Sequence, residues 1–312
     1  MKRRDFLKFA LAGIPFATQA QSSPISWILD TLSEASSNAH VCGEQDAAVR
    51  GTLKRLKGVS FPASGKVLVV NIPSGVVTAY TNGDPVIESR AVVGMDMTPT
   101  PEMSTRITYV RPNPTWTVPQ SIIRRKNWKQ KLASDPSFFE ENGFDIVVNG
   151  QTMSPSEASQ YAESASSFIQ RPSPYNALGL LKIGLHNADG IYLHDTNEPS
   201  RYDSDVRAGS AGCVRIEHVR DVAAWALNRT REEIDALIDS DDMTDYTPPN
   251  PITVILGYWT AWPDGDGIIR YYPDIYGLDG EGANCAGVPM RDSSDGYPQS
   301  SSPNGRLIWR EY

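Results

Sequence analysis

The densest run of small residues in the chain leads into a cysteine: Arg207-Ala208-Gly209-Ser210-Ala211-Gly212-Cys213-Val214-Arg215. Such residues let the backbone turn tightly and bring its N–H groups close to a substrate carbonyl. A helix is expected to begin near His218, and Arg207 and Arg215 flank the thiol, so the sequence predicts a depressed thiol pKa and considerable thiolate character. A nucleophile of this kind needs a base, and four histidines compete: His40, His186, His194 and His218. His194 is the best partner. It ends the run Gly190-Ile191-Tyr192-Leu193-His194, where period-two alternation puts Tyr192 and His194 together on the more polar face of a strand. A strand end beside a nucleophile loop is a rigid platform. His40 lies outside the sheet-forming region, His186 adjoins the turn Asn187-Ala188-Asp189-Gly190, and His218 falls in a helix first turn. The pattern reads as a Cys–His acyl-transfer site, against the competing reading of a buried free cysteine beside a core histidine.

The elements that must hold these residues are mainly strands. Val67 to Ile72 and Val76 to Tyr80 are β-rich, Asn82-Gly83 before Val86-Ile87 is a hairpin turn, and Ala91 to Val93 and Arg106 to Val110 continue a meander. Thr98-Pro99-Thr100-Pro101 must be an extended loop. Between Pro119 and Pro172 the pattern turns helical and polar, with helix candidates at Ser121 to Ala133 and Ser154 to Phe168, as in an insertion between strands. Arg124, Arg125, Lys126, Lys129 and Lys131 there read either as a solvated helix face or as an anion-binding cluster. Strands resume at Gly179 to Gly184. Val219 to Leu227 repeats apolar residues at helical spacing, and Thr230 with Glu233 forms a capping box for the next helix. A Pro-rich linker, Thr247 to Pro251, precedes a last strand, Ile252 to Trp259. Ser22 to Ala39 has some helical periodicity, and Lys54 to Lys57 reads as a basic turn.

The 312 residues are 40% hydrophobic and 21% charged, enough to bury a core, so an unfolded chain is excluded. A net charge of −8 argues against nucleic acid as partner, and no long apolar run after the first twenty residues suggests a multi-pass membrane protein. Residues 1–20 read as a signal peptide: Lys2, Arg3, Arg4 and Lys8, then the apolar Phe9 to Ala17, then Thr18-Gln19-Ala20. Arg3-Arg4-Asp5-Phe6-Leu7-Lys8 matches the twin-arginine export pattern, which points to the periplasm, a general secretory signal or an uncleaved anchor being the alternatives. Three cysteines are an odd number for an exported protein. A Cys42–Cys285 disulfide with Cys213 left free is the expected arrangement, since an oxidising compartment disfavours idle thiols.

His194, fifteen intervening residues and then Ser210-x-Gly212-Cys213-Val214-Arg215 resemble the signature of L,D-transpeptidases with the YkuD-type catalytic domain. Val67 to Ile72, Thr98 to Pro101, Arg106 to Pro119 with Trp116, Asn176 to Gly179, Ile191 to Thr196 and Tyr258 to Trp262 resemble its large periplasmic branch. The chain order, histidine before cysteine, argues against papain-like proteases. The resemblance implies an α+β protein, mainly β with helices: a β-sandwich catalytic domain over 65–245, with an inserted helical lid at about 119–172. Around it lie the signal peptide 1–20, an N-terminal segment 21–64, an extension packing on the catalytic domain at 246–279 and an irregular tail 280–312.

It further implies that Cys213 attacks a stem peptide of peptidoglycan, that His194 moves the proton, and that no metal or organic cofactor takes part. Backbone N–H groups at Gly212 and Cys213 would hold the oxyanion, with Ser210 supporting the loop. Arg215 is a candidate substrate anchor or a structural ion pair, and Tyr192 and Trp116 line the groove or belong to the core. A crosslink between third residues of neighbouring stems is the expected product, in the service of cell wall biogenesis and cell shape. A carboxypeptidase, a protein-to-wall ligase and a non-catalytic wall-binding homologue remain alternatives. Many members have histidine where this chain has Ala211, which removes one side-chain contact and leaves the backbone in place. Ser22 to Leu56 is too short for the wall-binding module common in the family. Targeting then falls to a monomeric catalytic domain or to wall-synthesis proteins as partners.

Overall fold

A computed structural model describes residues 26–37 and 43–280. Two helices open it, α1 (Ser26–Ser37) and α2 (Glu44–Leu56). The antiparallel strands β1 (Lys66–Asn71), β2 (Val76–Thr81), β3 (Asp84–Gly94) and β4 (Met103–Pro112) follow. The β2–β3 hairpin turns on Asn82 and Gly83, both at positive φ as such a two-residue turn requires. The insertion comes next, with β5 (Trp116–Thr117), α3 (Gln120–Arg125), α4 (Trp128–Ser134), α5 (Pro136–Glu141), β6 (Phe144–Val148), β7 (Gln151–Met153), α6 (Pro155–Ala158) and β8 (Ala165–Gln170). The chain then returns through β9 (Leu181–Leu185), β10 (Tyr192–His194), β11 (Ala208–Ser210), β12 (Val214–Ile216), α7 (Val219–Leu227), α8 (Arg231–Asp239), β13 (Ile252–Gly257), β14 (Ala261–Pro263) and β15 (Ile269–Tyr271).

The main sheet runs β11-β3-β12-β10-β9-β4-β13-β1-β2, and β2 also pairs with β3, so eight strands close on themselves as a two-layered barrel. The long strands serve both layers. Residues 84–90 of β3 pair with β2 while Ala91 and Val92 pair with β12; residues 103–106 of β4 pair with β13 while 107–112 pair with β9. Alternation then sorts the apolar runs. In β1, Leu68 and Val70 point into the interior with Ile183, Leu193, Val214 and the buried face of α7, whereas Val67 and Val69 point outward beneath α1, α2 and Trp259. Both faces of β1 are covered, which is why its sequence is a continuous apolar run.

The basic turn expected at Lys54 to Lys57 is instead the last turn of α2, where positive charge suits the helix C-terminus. Arg55 reaches across to Asp279 at 2.7 Å and lies 5.0 Å from the Tyr258 ring, tying α2 to the C-terminal extension. The capping box of Thr230 and Glu233 is formed at the start of α8.

The insertion carries a four-stranded sheet, β5-β8-β6-β7, as well as its helices. Ser154 to Phe168, expected to be one helix, is a short helix and a 3-10 turn that give way to β8 at Ala165. The missed cue is Asn149-Gly150, which turns β6 into β7 in a two-residue hairpin with both residues at positive φ. Trp128, Phe139, Phe144, Ile146 and Phe168 form a core separate from that of the barrel, and Trp128 meets Phe139, Phe144 and Phe168 edge to face within 5.5 Å. The basic side chains Arg124, Arg125 and Lys126 are exposed. The signal peptide, His40, Cys42, Cys285 and residues 281–312 lie outside the described residues.

Candidate active site

β10 and β12 run parallel side by side, pairing Leu193 with Val214 and His194 with Arg215. One step back along that register, Cys213 arrives beside Tyr192. The sulfur takes its surroundings from that strand end. The Tyr192 backbone N–H and hydroxyl both hydrogen-bond it, and the thiol points to the Gly190 carbonyl at 3.8 Å. Trp116, on β5 at the edge of the insertion, gives its indole N–H to the Tyr192 oxygen. Burial pushes the Tyr192 phenol up, so the hydroxyl keeps its proton and remains a donor. A chain of contacts thus links the inserted subdomain to the thiol through Trp116 and Tyr192, the two aromatic residues singled out in the sequence.

The loop that presents Cys213 is held from several sides. Ser210 is buried; its hydroxyl donates to the Cys213 carbonyl and accepts the Gly212 N–H at 3.1 Å. Met95 N–H at 3.0 Å and the Thr98 hydroxyl at 3.2 Å donate to the Ser210 carbonyl. Thr100 donates to the Gly212 carbonyl and accepts the Gly94 N–H, each at 2.8 Å. Gly212 has φ 111°, a conformation other residues rarely reach, and Ala211 beside it is exposed. The Gly212 N–H, read from the sequence as an oxyanion donor, is therefore committed to Ser210.

His194 is 5% exposed and its ring centroid lies 5.5 Å from that of Tyr192. Burial, reinforced by the positive charge of Arg215, pushes its pKa down to about 3, against backbone carbonyls at Asp195 and Leu178 that favour the protonated ring. The Leu178 turn is pressed against Asp195, whose carboxylate accepts the Leu180 N–H at 2.9 Å, and Gly179 leaves no room there for a Cβ. Asp195 and Leu178 lie in two segments that carry the resemblance, Ile191 to Thr196 and Asn176 to Gly179, but nothing in the sequence singled them out as neighbours of the histidine ring.

The depressed thiol pKa expected from the sequence is not found: burial pushes Cys213 up, and hydrogen bonds from Tyr192 and the charges of Lys182 and Arg215 only offset it in part. Two sequence cues misled. Cys213 is followed by β12, and the helix begins only at Val219, so no helix N-terminus faces the sulfur. The flanking arginines are also engaged elsewhere. Arg207 donates to the carbonyls of Ser74 and Gly75, and Arg215 pairs with Glu198 at 2.6 Å. Burial raises the Glu198 carboxyl, but bonds from Arg201 and Arg215 win and hold it below the usual range.

The model of the L,D-transpeptidase catalytic domain, YkuD, covers residues 65–234, more than half of the chain. A Haemophilus influenzae protein named "Putative L,D-transpeptidase" is 31% identical over 219 residues, 68% of this chain and 44% of the relative. The chain thus spans less than half the length of that curated relative. Among solved structures, an L,D-transpeptidase from Mycobacterium smegmatis is 15% identical over 62% of this chain and 59% of its own, with TM-score 0.31. L,D-transpeptidase 1 of Mycobacterium tuberculosis is 17% identical over 62% of each chain, with TM-score 0.28.

Proposed function

The chain belongs to the L,D-transpeptidase family with the YkuD catalytic domain, and from that premise we propose that it crosslinks peptidoglycan stems through a thioester on Cys213. The observation that supports this most is the thiol itself, partly exposed at a strand end and held by Tyr192 on the strand that carries His194. In the proposed reaction Cys213 attacks the carbonyl of the third residue of a tetrapeptide stem, and the fourth residue, D-alanine, leaves. The resting pair is a neutral thiol and a neutral imidazole, since burial disfavours both charged forms. His194 takes the thiol proton as the new C–S bond forms. The buried imidazolium so produced is a strong acid and passes the proton to the leaving amine. The Cys213 N–H is the proposed oxyanion donor, in place of Gly212. An amine from a neighbouring stem then cleaves the thioester, giving a crosslink between third residues and regenerating the thiol. The insertion acts as a cover over the donor stem, with Trp116 on its inner edge.

This activity belongs in the periplasm, reached by the twin-arginine signal of residues 1–20. The test is muropeptide analysis after incubating the mature protein with peptidoglycan rich in tetrapeptide stems. Dimers joined through third residues are expected. Tripeptide monomers alone would make the enzyme a carboxypeptidase, and an unchanged profile would leave the site without this activity.

A further inference from the structure

The strand register lays a row of basic residues across the site. Arg111 on β4 pairs with Lys182 on β9, Lys182 with His194 on β10, and His194 with Arg215 on β12, so all four side chains emerge on one face. Three members of the row are accounted for. Arg111 forms a two-pronged pair with Asp245 at 2.6 and 2.7 Å, Arg215 is held by Glu198, and His194 is buried and neutral. Lys182 is different: among the described residues no carboxylate pairs with it. Its ammonium lies 4.1 Å from the centre of the Tyr192 ring, the ring whose hydroxyl bonds the Cys213 sulfur. It is half-buried, and the neighbouring row offers it only Tyr109, Gly184 and Tyr192. A cation held over an aromatic face, with its like-charged neighbours already neutralised, is a site for an anion brought from outside.

We infer that Lys182 binds the terminal carboxylate of the donor stem, the carboxylate of the residue that leaves. This rests on the transpeptidase reading of the site and adds to it the residue that selects a stem ending in a free acid. The geometry of a peptide suits the assignment, because that carboxylate carbon lies only roughly 3–4 Å from the carbonyl carbon that Cys213 attacks. A carboxylate seated on Lys182 over the Tyr192 ring therefore sets its own scissile carbonyl beside the sulfur. Arg215, which the sequence offered for this role, already has its carboxylate in Glu198. In the sequence Lys182 is a lone charge in the apolar run Leu180-Leu181-Lys182-Ile183, and it was not read there as part of the site.

The test compares two synthetic disaccharide tetrapeptides, one ending in the free acid and one in the C-terminal amide, with wild type, Lys182→Met and Lys182→Arg, following release of the fourth residue. Thermal unfolding confirms that each variant is folded. Wild type is expected to favour the acid by at least tenfold in kcat/KM, mostly through KM. Lys182→Met should bring the acid-to-amide ratio near one, and Lys182→Arg should restore most of it. A ratio in Lys182→Met equal to that of wild type would overturn this inference and leave the transpeptidase reading in place. Failure of wild type to release the fourth residue from either stem would overturn both.

Discussion

At the scale of single residues, burial favours the neutral forms of both members of the proposed pair, Cys213 and His194. Because burial raises the Cys213 thiol, the rate of its alkylation by iodoacetamide should show no plateau near neutral pH and should still be rising above about pH 8.5, the ordinary thiol value. A plateau reached below pH 7 would instead indicate a resting thiolate–imidazolium pair. Tyr192→Phe removes the hydroxyl that stabilises the thiolate, so alkylation at fixed pH should slow several-fold. His194 carries the opposite linkage into stability. Unfolded, it binds a proton near pH 6.5; folded, only near 3, so on acidification between those values the unfolded chain gains protons and stability falls. The loss by pH 3 amounts to about 5 kcal/mol at most, and it should be missing from the unfolding free energies of His194→Gln measured over the same range.

The elements themselves divide into a barrel and an inserted unit with its own aromatic core. Phe139 is fully buried in that unit, so Phe139→Ala should cost about 3–5 kcal/mol, and the lost hydrogen-exchange protection should concentrate between β5 and β8. Uniform loss of protection across β1 and β13 would show that the two cores are one cooperative unit. The sequence made much of the barrel legible, because its signals are local: Asn82-Gly83 marks a turn, Val219 to Leu227 has one apolar face, and Thr230 with Glu233 caps α8. The same kind of signal at Asn149-Gly150 was overlooked, and with it the sheet of the insertion. The candidate site was legible in its motif, His194 and the loop ending at Cys213. Its electrostatics were not, because they depend on partners distant in sequence. Arg207 turns to Ser74 and Gly75, Arg215 finds Glu198, and Lys182 falls beside His194 only through the pairing of β9 with β10.

For the whole molecule, α1 and α2 and the C-terminal extension close the outer face of the barrel, and Arg55 is the joint between them. Its pair with Asp279 is largely shielded from water, with side chains 14% and 6% exposed, so Arg55→Met should leave a buried carboxylate unpaired and destabilise by about 3 kcal/mol. Asp279→Asn placed on that variant should recover part of the loss in denaturant unfolding; no recovery would mean that the arginine acts through packing on Tyr258. Among the described residues Cys213 is the one thiol, set at a strand end, and the proposed function requires that it become acylated. The direct measurement is intact-protein mass spectrometry after exposure to a carbapenem, a class of acylating agent to which this family's cysteine is expected to respond. The wild-type protein should gain the mass of one drug molecule and the Cys213→Ala variant none; an adduct that survives in Cys213→Ala, or a wild-type protein that gains no mass, would contradict the account.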